Sequence, residues 1–118
     1  MYSVSVIIAT YNSDLKKIKT TLKSVINQKK IKLQIIVCDD GSEDNHFAEI
    51  ESYFNKNNFN NYELVANKEN RGTVINVLSG CEYAEGDYIK SLAPGDGLIY
   101  EYVLYEWISS MENDNKQW

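Results

Sequence analysis

Four short stretches of the 118-residue chain hold side chains with chemical potential. Asp39-Asp40-Gly41-Ser42 follows an apolar run. Two adjacent carboxylates at the exit of a buried strand repel each other and call for a cation, hydrogen-bond donors or solvent. Asp and Ser are equally good turn and helix-capping residues, so the bland alternative is a turn that starts the next helix. Thr10-Tyr11-Asn12 ends another β-branched run with a hydroxyl, an aromatic ring and an amide. That set could stack on a base and hydrogen-bond a ribose, or only end a strand. Asn70-Arg71-Gly72 precedes a helical segment. Arg71 there could neutralise a phosphate beside the helix N-terminus, or be a solvated residue next to a turn glycine. The stretch 91–98 holds the only proline, two glycines and Asp96. It reads either as a tight turn with a polar tip or as a ligand loop at a strand end. His46, the only histidine, reads as a surface residue, and among nine tyrosines only Tyr11 is informative, by position.

The elements that must hold these loops repeat one grammar. Val4–Thr10 is a β-branched run, followed by Leu15, Ile18, Leu22, Val25 and Ile26 at helical spacing with Ser13 or Asp14 placed to cap. Leu33–Cys38 is a second strand, and Phe47, Ile50 and Phe54 mark a second helix. Tyr62–Ala66 is a third strand, with Val74, Val77, Leu78 and Cys81 on the helix after it. Asp87–Leu92 is a fourth strand, and Leu98–Met111 reads as a last helix. Alternating strands and helices, with strands lacking strict apolar–polar alternation, predict an α/β fold: a mostly parallel sheet with helices on both faces. Ligands in such sheets collect beyond the carboxyl ends of the strands, where all four chemical stretches fall.

Composition narrows the function. The length suits a single domain, residues 1–118. Seventeen acidic against twelve basic residues give a formal charge of −5, which argues against nucleic acid as a partner. An anionic substrate would have to be met by a local positive feature such as a helix N-terminus or a bound cation. Cys38 and Cys81 lie outside any C-x-x-C spacing and read as reduced core residues, not zinc ligands. No apolar run is long enough for a membrane span. Met1-Tyr2-Ser3 enters a strand directly, so the expected compartment is the cytosol. The absence of G-x-G-x-x-G after the first strand, and of a P-loop, excludes the common dinucleotide and P-loop sites. A receiver-like signalling domain would want an acidic pair after the first strand, which Ala9–Asp14 does not offer.

Taken together, residues 4–14, 22–28, 33–45, 67–72, 80–89 and 94–96 resemble the nucleotide-sugar-binding part of an inverting family 2 glycosyltransferase of the GT-A fold. The order and spacing match over nearly the whole chain. The resemblance implies that Thr10, Tyr11 and Asp40 border the base and ribose of a nucleoside-diphosphate sugar, with UDP the expected nucleotide. Asn12 joins that border and Asp39 supports the pocket from beside it. It implies a Mg²⁺ or Mn²⁺ held against the diphosphate by a D-x-D loop. Here the D-x-D positions are Ala93, Pro94 and Gly95, and only the trailing Asp96 remains to serve as metal ligand. The family's Ala-Arg-Asn in the following helix is replaced by Asn76-Val77-Leu78, so a polar contact to the donor is missing or has moved to Asn76 or Arg71.

The implied reaction is transfer of a sugar to a saccharide or other hydroxyl acceptor, as in polysaccharide assembly, with a general base supplied from beyond residue 118. The expectation is therefore the donor-binding portion of a longer glycosyltransferase, inactive alone and working at a membrane's cytoplasmic face. The alternative is a non-catalytic, degenerate nucleotide-sugar-binding module.

Overall fold

A computed structural model describes residues 1–115. The elements run β1 (Tyr2–Thr10), α1 (Leu15–Ile26), β2 (Ile31–Asp40), α2 (Phe47–Lys56), β3 (Tyr62–Asn67), α3 (Thr73–Cys81), β4 (Tyr88–Leu92) and α4 (Val103–Asn115). The strands form one parallel sheet in the order β3-β2-β1-β4, with helices on both faces as expected. β1 and β2 are central, and Val4, Val6–Ile8 and Ile35–Cys38 are fully buried, which is why they read as unbroken apolar runs.

The two faces carry different loads. Successive side chains in a strand point to opposite faces. Val4, Val6, Ile8, Ile35 and Val37 pack against Ile18, Leu22 and Val25 of α1, Ile50 and Phe54 of α2, and Leu104 and Ile108 of α4. Each such fully buried side chain contributes roughly 1.5–3 kcal/mol. Ile7, Ile36 and Cys38 face the other way, against Val77 and Cys81 of α3. The N-terminus of α1 is capped by Asp14, whose Oδ1 accepts the Lys16 amide at 3.0 Å. Ser13 instead accepts the Tyr11 amide.

The last helix departs from the sequence expectation, starting at Val103 and not Leu98. Residues 98–102 are tied to the end of α1 instead. Gln28, 8% exposed, donates from Nε2 to the Tyr100 carbonyl at 2.8 Å and accepts the Leu104 amide at 3.0 Å. The Lys29 amide donates to the Glu101 carbonyl at 2.7 Å. These contacts hold the segment out of helix and supply α4 with its cap. β2 also runs two residues further than expected, through both acids. His46, expected at the surface, is half-buried with a left-handed backbone directly before α2, and its Nδ1 lies 3.5 Å from Asp44 Oδ2.

Candidate functional site

The parallel register brings the chemical residues to one end of the sheet. Thr10 stands opposite Asp39, Asp40 opposite Asn67, and Ile8 opposite Leu92. The chain moves from β1 to β2 to β3 in one direction, then returns past β1 to add β4 on the far side. The gap beyond β1 and β4 is thus a switch point in strand order, where ligands of open α/β sheets bind. The amino-end loop before β4 faces away: the Glu85, Gly86 and Asp87 amides donate to Gln34 Oε1, Ser5 Oγ and Ser3 Oγ.

The acidic pair is buried and fully engaged. Asp39, 2% exposed, accepts from the Thr10 hydroxyl at 2.7 Å, the Ser42 hydroxyl at 2.6 Å and the Ser42 amide at 2.7 Å. The Ser42 oxygen in turn accepts the Asn12 amide at 2.7 Å, and Asn12 Oδ1 accepts the Glu43 amide at 3.2 Å. Thr10, Asn12 and Asp39 are therefore one network joining the β1 and β2 loops. Asp40 points to a third loop. Its Oδ1 accepts the Arg71 amide and its Oδ2 the Gly72 amide, each at 2.9 Å. Two carboxylates side by side are tolerated because each is met by separate donors. Gly41 completes the junction at φ +80°, since a Cβ there would lie 3.0 Å from the Glu69 carbonyl carbon.

The fourth loop is a built turn. Gly95, at φ +96°, donates its amide to Thr21 Oγ1 at 2.9 Å, and the Thr21 hydroxyl donates to the Asp96 carbonyl at 2.6 Å. The Asp96 carboxylate folds back, its Oδ2 accepting the Ala93 amide at 3.1 Å. It borders a depression of 290 Å³ lined by Ala9, Thr73, Val77, Ser91, Leu92 and Ala93, at the switch point and beside the first residue of α3. Asp96 is the only carboxylate on that lining, and its Oδ1 accepts no hydrogen bond among the described residues.

Not every expected residue joins this cluster. Tyr11, half-exposed, follows β1 with its ring toward solvent. The Arg71 main chain belongs to the cluster but its guanidinium does not. That group is 64% exposed, 4.0 Å from Glu69 Oε2, in a separate depression shared with Lys68, Ile75 and Glu82. Two features escaped the sequence reading, Thr21 and the bracing role of Asn76, while Ser42, read there as a turn and cap residue, also links Asp39 to Asn12. Asn76, 2% exposed, donates from Nδ2 to the Cys38 carbonyl at 3.0 Å and accepts from Asn67 Nδ2 at 3.1 Å, tying β2, β3 and α3 together. An amide amid the apolar run of α3 was the one available sign of it. Nearby, burial pushes the Cys38 thiol up to about 12, which makes it an inert packing residue. Away from the cluster, Asp44, His46 and Glu49 each bring one ligand atom within 4.8 Å of the others.

The sequence model of the family "Glycosyl transferase family 2" matches residues 5–116. The chain is 35% identical over 96 residues to an uncharacterised glycosyltransferase of Mycoplasma pneumoniae, covering 80% of this chain and 32% of that protein. It is 31% identical over 113 residues to poly-beta-1,6-N-acetyl-D-glucosamine synthase of Staphylococcus aureus, covering 96% of this chain and 26% of that one. Its fold is also that of Staphylococcus aureus TarS, a protein crystallised with UDP. The TM-score is 0.77 at 25% identity, covering 94% of this chain and 32% of the crystallised piece, TarS 1-349. The chain thus spans about a quarter to a third of the length of these curated relatives. The sheet and its helices are those of a GT-A fold.

Proposed function

The chain belongs to glycosyl transferase family 2, and from that premise we propose that residues 1–118 form the donor-binding portion of a longer glycosyltransferase. The observation that carries this reading is the convergence of three loops on the Asp39–Asp40 pair at the carboxyl end of the sheet. Thr10, Tyr11, Asn12 and Asp40 border the nucleoside, with Asp39 fixing Thr10 and the β2 loop beneath it. The diphosphate lies over the depression at the start of α3, where first-turn amides lack intrahelical partners. Arg71 contributes its main chain to this arrangement, and its guanidinium reaches the phosphates only by swinging from the outer depression.

Asp96 Oδ1, the one carboxylate oxygen on this lining without a hydrogen bond, would hold a Mg²⁺ or Mn²⁺, with diphosphate and water supplying further ligands, which suits an ion that keeps several waters. When bound, the ion neutralises charge on the leaving diphosphate. The donor is proposed to be a UDP-sugar, a reading supported by the likeness to TarS, which was crystallised with UDP. The acceptor is proposed to be a glycan hydroxyl, in keeping with the polysaccharide synthase among the relatives. That hydroxyl attacks the anomeric carbon as the bond to the nucleoside diphosphate breaks on the opposite side, inverting the centre. The hydroxyl proton passes to a general base that lies outside these residues.

Calorimetric titration with UDP tests the donor site. Binding is expected in Mn²⁺, weakened about tenfold by Asp96→Ala as one charge-assisted ligand is lost. In EDTA the variant and the parent should be indistinguishable. Equal affinities in Mn²⁺ would remove Asp96 from the site, and no UDP binding under either condition would remove the donor reading. Sugar transfer by residues 1–118 alone, with a panel of nucleotide sugars and acceptors, would overturn the placement of the base.

A further inference from the structure

We propose that the outer face of α1 and the turn after it form a peripheral docking surface for a bilayer rich in anionic phospholipid, a reading independent of the donor chemistry. From Leu15 to Cys38 the chain carries seven lysines and no acidic residue, leaving five basic against seventeen acidic residues elsewhere. An acidic protein has thus gathered seven of its twelve basic residues into α1, the turn after it and the start of β2. Lys16, Lys19 and Lys23 recur at i, i+3 and i+7, so they form one stripe along the helix. Lys16, Lys17, Lys23, Lys29, Lys30 and Lys32 are exposed.

Little of this charge is neutralised by neighbouring elements. Lys29 lies 3.9 Å from Glu101, both half-exposed, and no other of the seven lysines has a carboxylate within 4.0 Å among the described residues. From α2, Lys56 joins Lys19 in lining a groove of 670 Å³ against a single acid, Glu49. At the helix start, Lys16 and Lys17 border a depression with Asp14 and Gly95. The surface therefore abuts the loop that carries Asp96.

The opposite face of α1 decides how such a surface can act. A basic amphipathic helix can insert its apolar face into lipid or a protein groove. Here Ile18, Leu22 and Val25 are at most 1% exposed within the core, so only the ammonium groups are available. They sit on flexible stems over roughly 10 Å of helix and continue into the turn. There is no arginine among them to grip a single phosphate by two parallel hydrogen bonds. A diffuse array of this kind suits the averaged potential of a charged bilayer better than one discrete anion.

Co-sedimentation of the 118-residue chain with lipid vesicles tests the proposal. Phosphatidylglycerol-containing vesicles should bind it at low salt and release it by roughly 0.5 M salt, as screening shortens the field. Pure phosphatidylcholine vesicles should not bind it. The triple variant Lys16→Gln, Lys19→Gln, Lys23→Gln should weaken partitioning on the order of 100-fold, at about 1 kcal/mol per lysine. Lys68→Gln with Lys90→Gln, which lie just after β3 and in β4, should leave partitioning unchanged. Circular dichroism establishes that both variants fold. Absence of binding to the charged vesicles would overturn the proposal, as would parental partitioning of the triple variant. Tighter capture of soluble polyphosphate than of vesicles would assign the surface to a soluble polymer instead.

Discussion

Both oxygens of Asp40 are occupied by main-chain amides of another loop, and this decides what a substitution there does. Asp40→Ala leaves the Arg71 amide without its acceptor and the Gly72 amide with Asn70 Oδ1 alone, and should cost about 1–2 kcal/mol in urea unfolding. Asp40→Asn keeps one acceptor and should lose about half as much. A loss below about 0.5 kcal/mol for Asp40→Ala would show that the clamp is not structural. The acidic pair was visible in the sequence because carboxylates are conspicuous after an apolar run. Its main-chain partners were not, because an N–H group is the same at every residue and Arg71 advertises its guanidinium instead. Cys38 makes a different residue-scale prediction. Its folded pKa is raised from 9.0 to about 12, so above pH 9 the unfolded chain gives up the proton first. The stability this group contributes is complete below pH 9 and falls as pH rises toward 12, by up to about 1.4 kcal/mol per pH unit. Cys38→Ala should flatten that part of a pH–stability profile; an unchanged slope would locate the effect in other groups.

At the scale of elements, strands and the first three helices were legible because their apolar periodicity is local. The start of α4 was not. Leu98 and Tyr102 carry a helical spacing, yet Gln28 and Lys29, far away in sequence, hold residues 98–102 out of helix. Local pattern cannot see a long-range tether. Gln28→Ala removes the acceptor for the Leu104 amide and the donor to Tyr100, so unfolding should lose about 2 kcal/mol. Limited proteolysis should then cut within 97–102 faster than in the parent. Unchanged cleavage would mean that the segment is held by its side chains alone. The loop 93–96 shows the same limit. Its proline and glycines announced a turn, but Thr21, the residue that docks it onto α1, looks in sequence like an ordinary helical threonine.

The whole molecule is asymmetric in a way the strand–helix grammar does not encode. Periodicity establishes that both faces of the sheet are covered, since the strands are apolar on both sides. It does not apportion the helices, which depends on strand order. Because β4 is added on the far side of β1, α1, α2 and α4 share one face and α3 stands alone on the other. α3 turns Asn76 and Gly80 inward, while Val74, Ile75 and Leu78 remain exposed, as does Ile89 on β4. The same apolar residue types therefore carry different stability on the two faces. Leu22, wholly buried in the three-helix face, should lose about 3 kcal/mol as Leu22→Ala through lost burial and the cavity left behind. Leu78, 58% exposed, should tolerate Leu78→Glu within about 0.5 kcal/mol, because the new charge stays in water. The latter change should also lower fluorescence of a dye that binds exposed apolar surface, since it breaks the Val74–Ile75–Leu78 patch. Urea unfolding and dye titration of the two variants read both sides of the argument. Comparable destabilisation by the two changes would mean that α3 is packed by something on its outer face, and the asymmetry would fall with it.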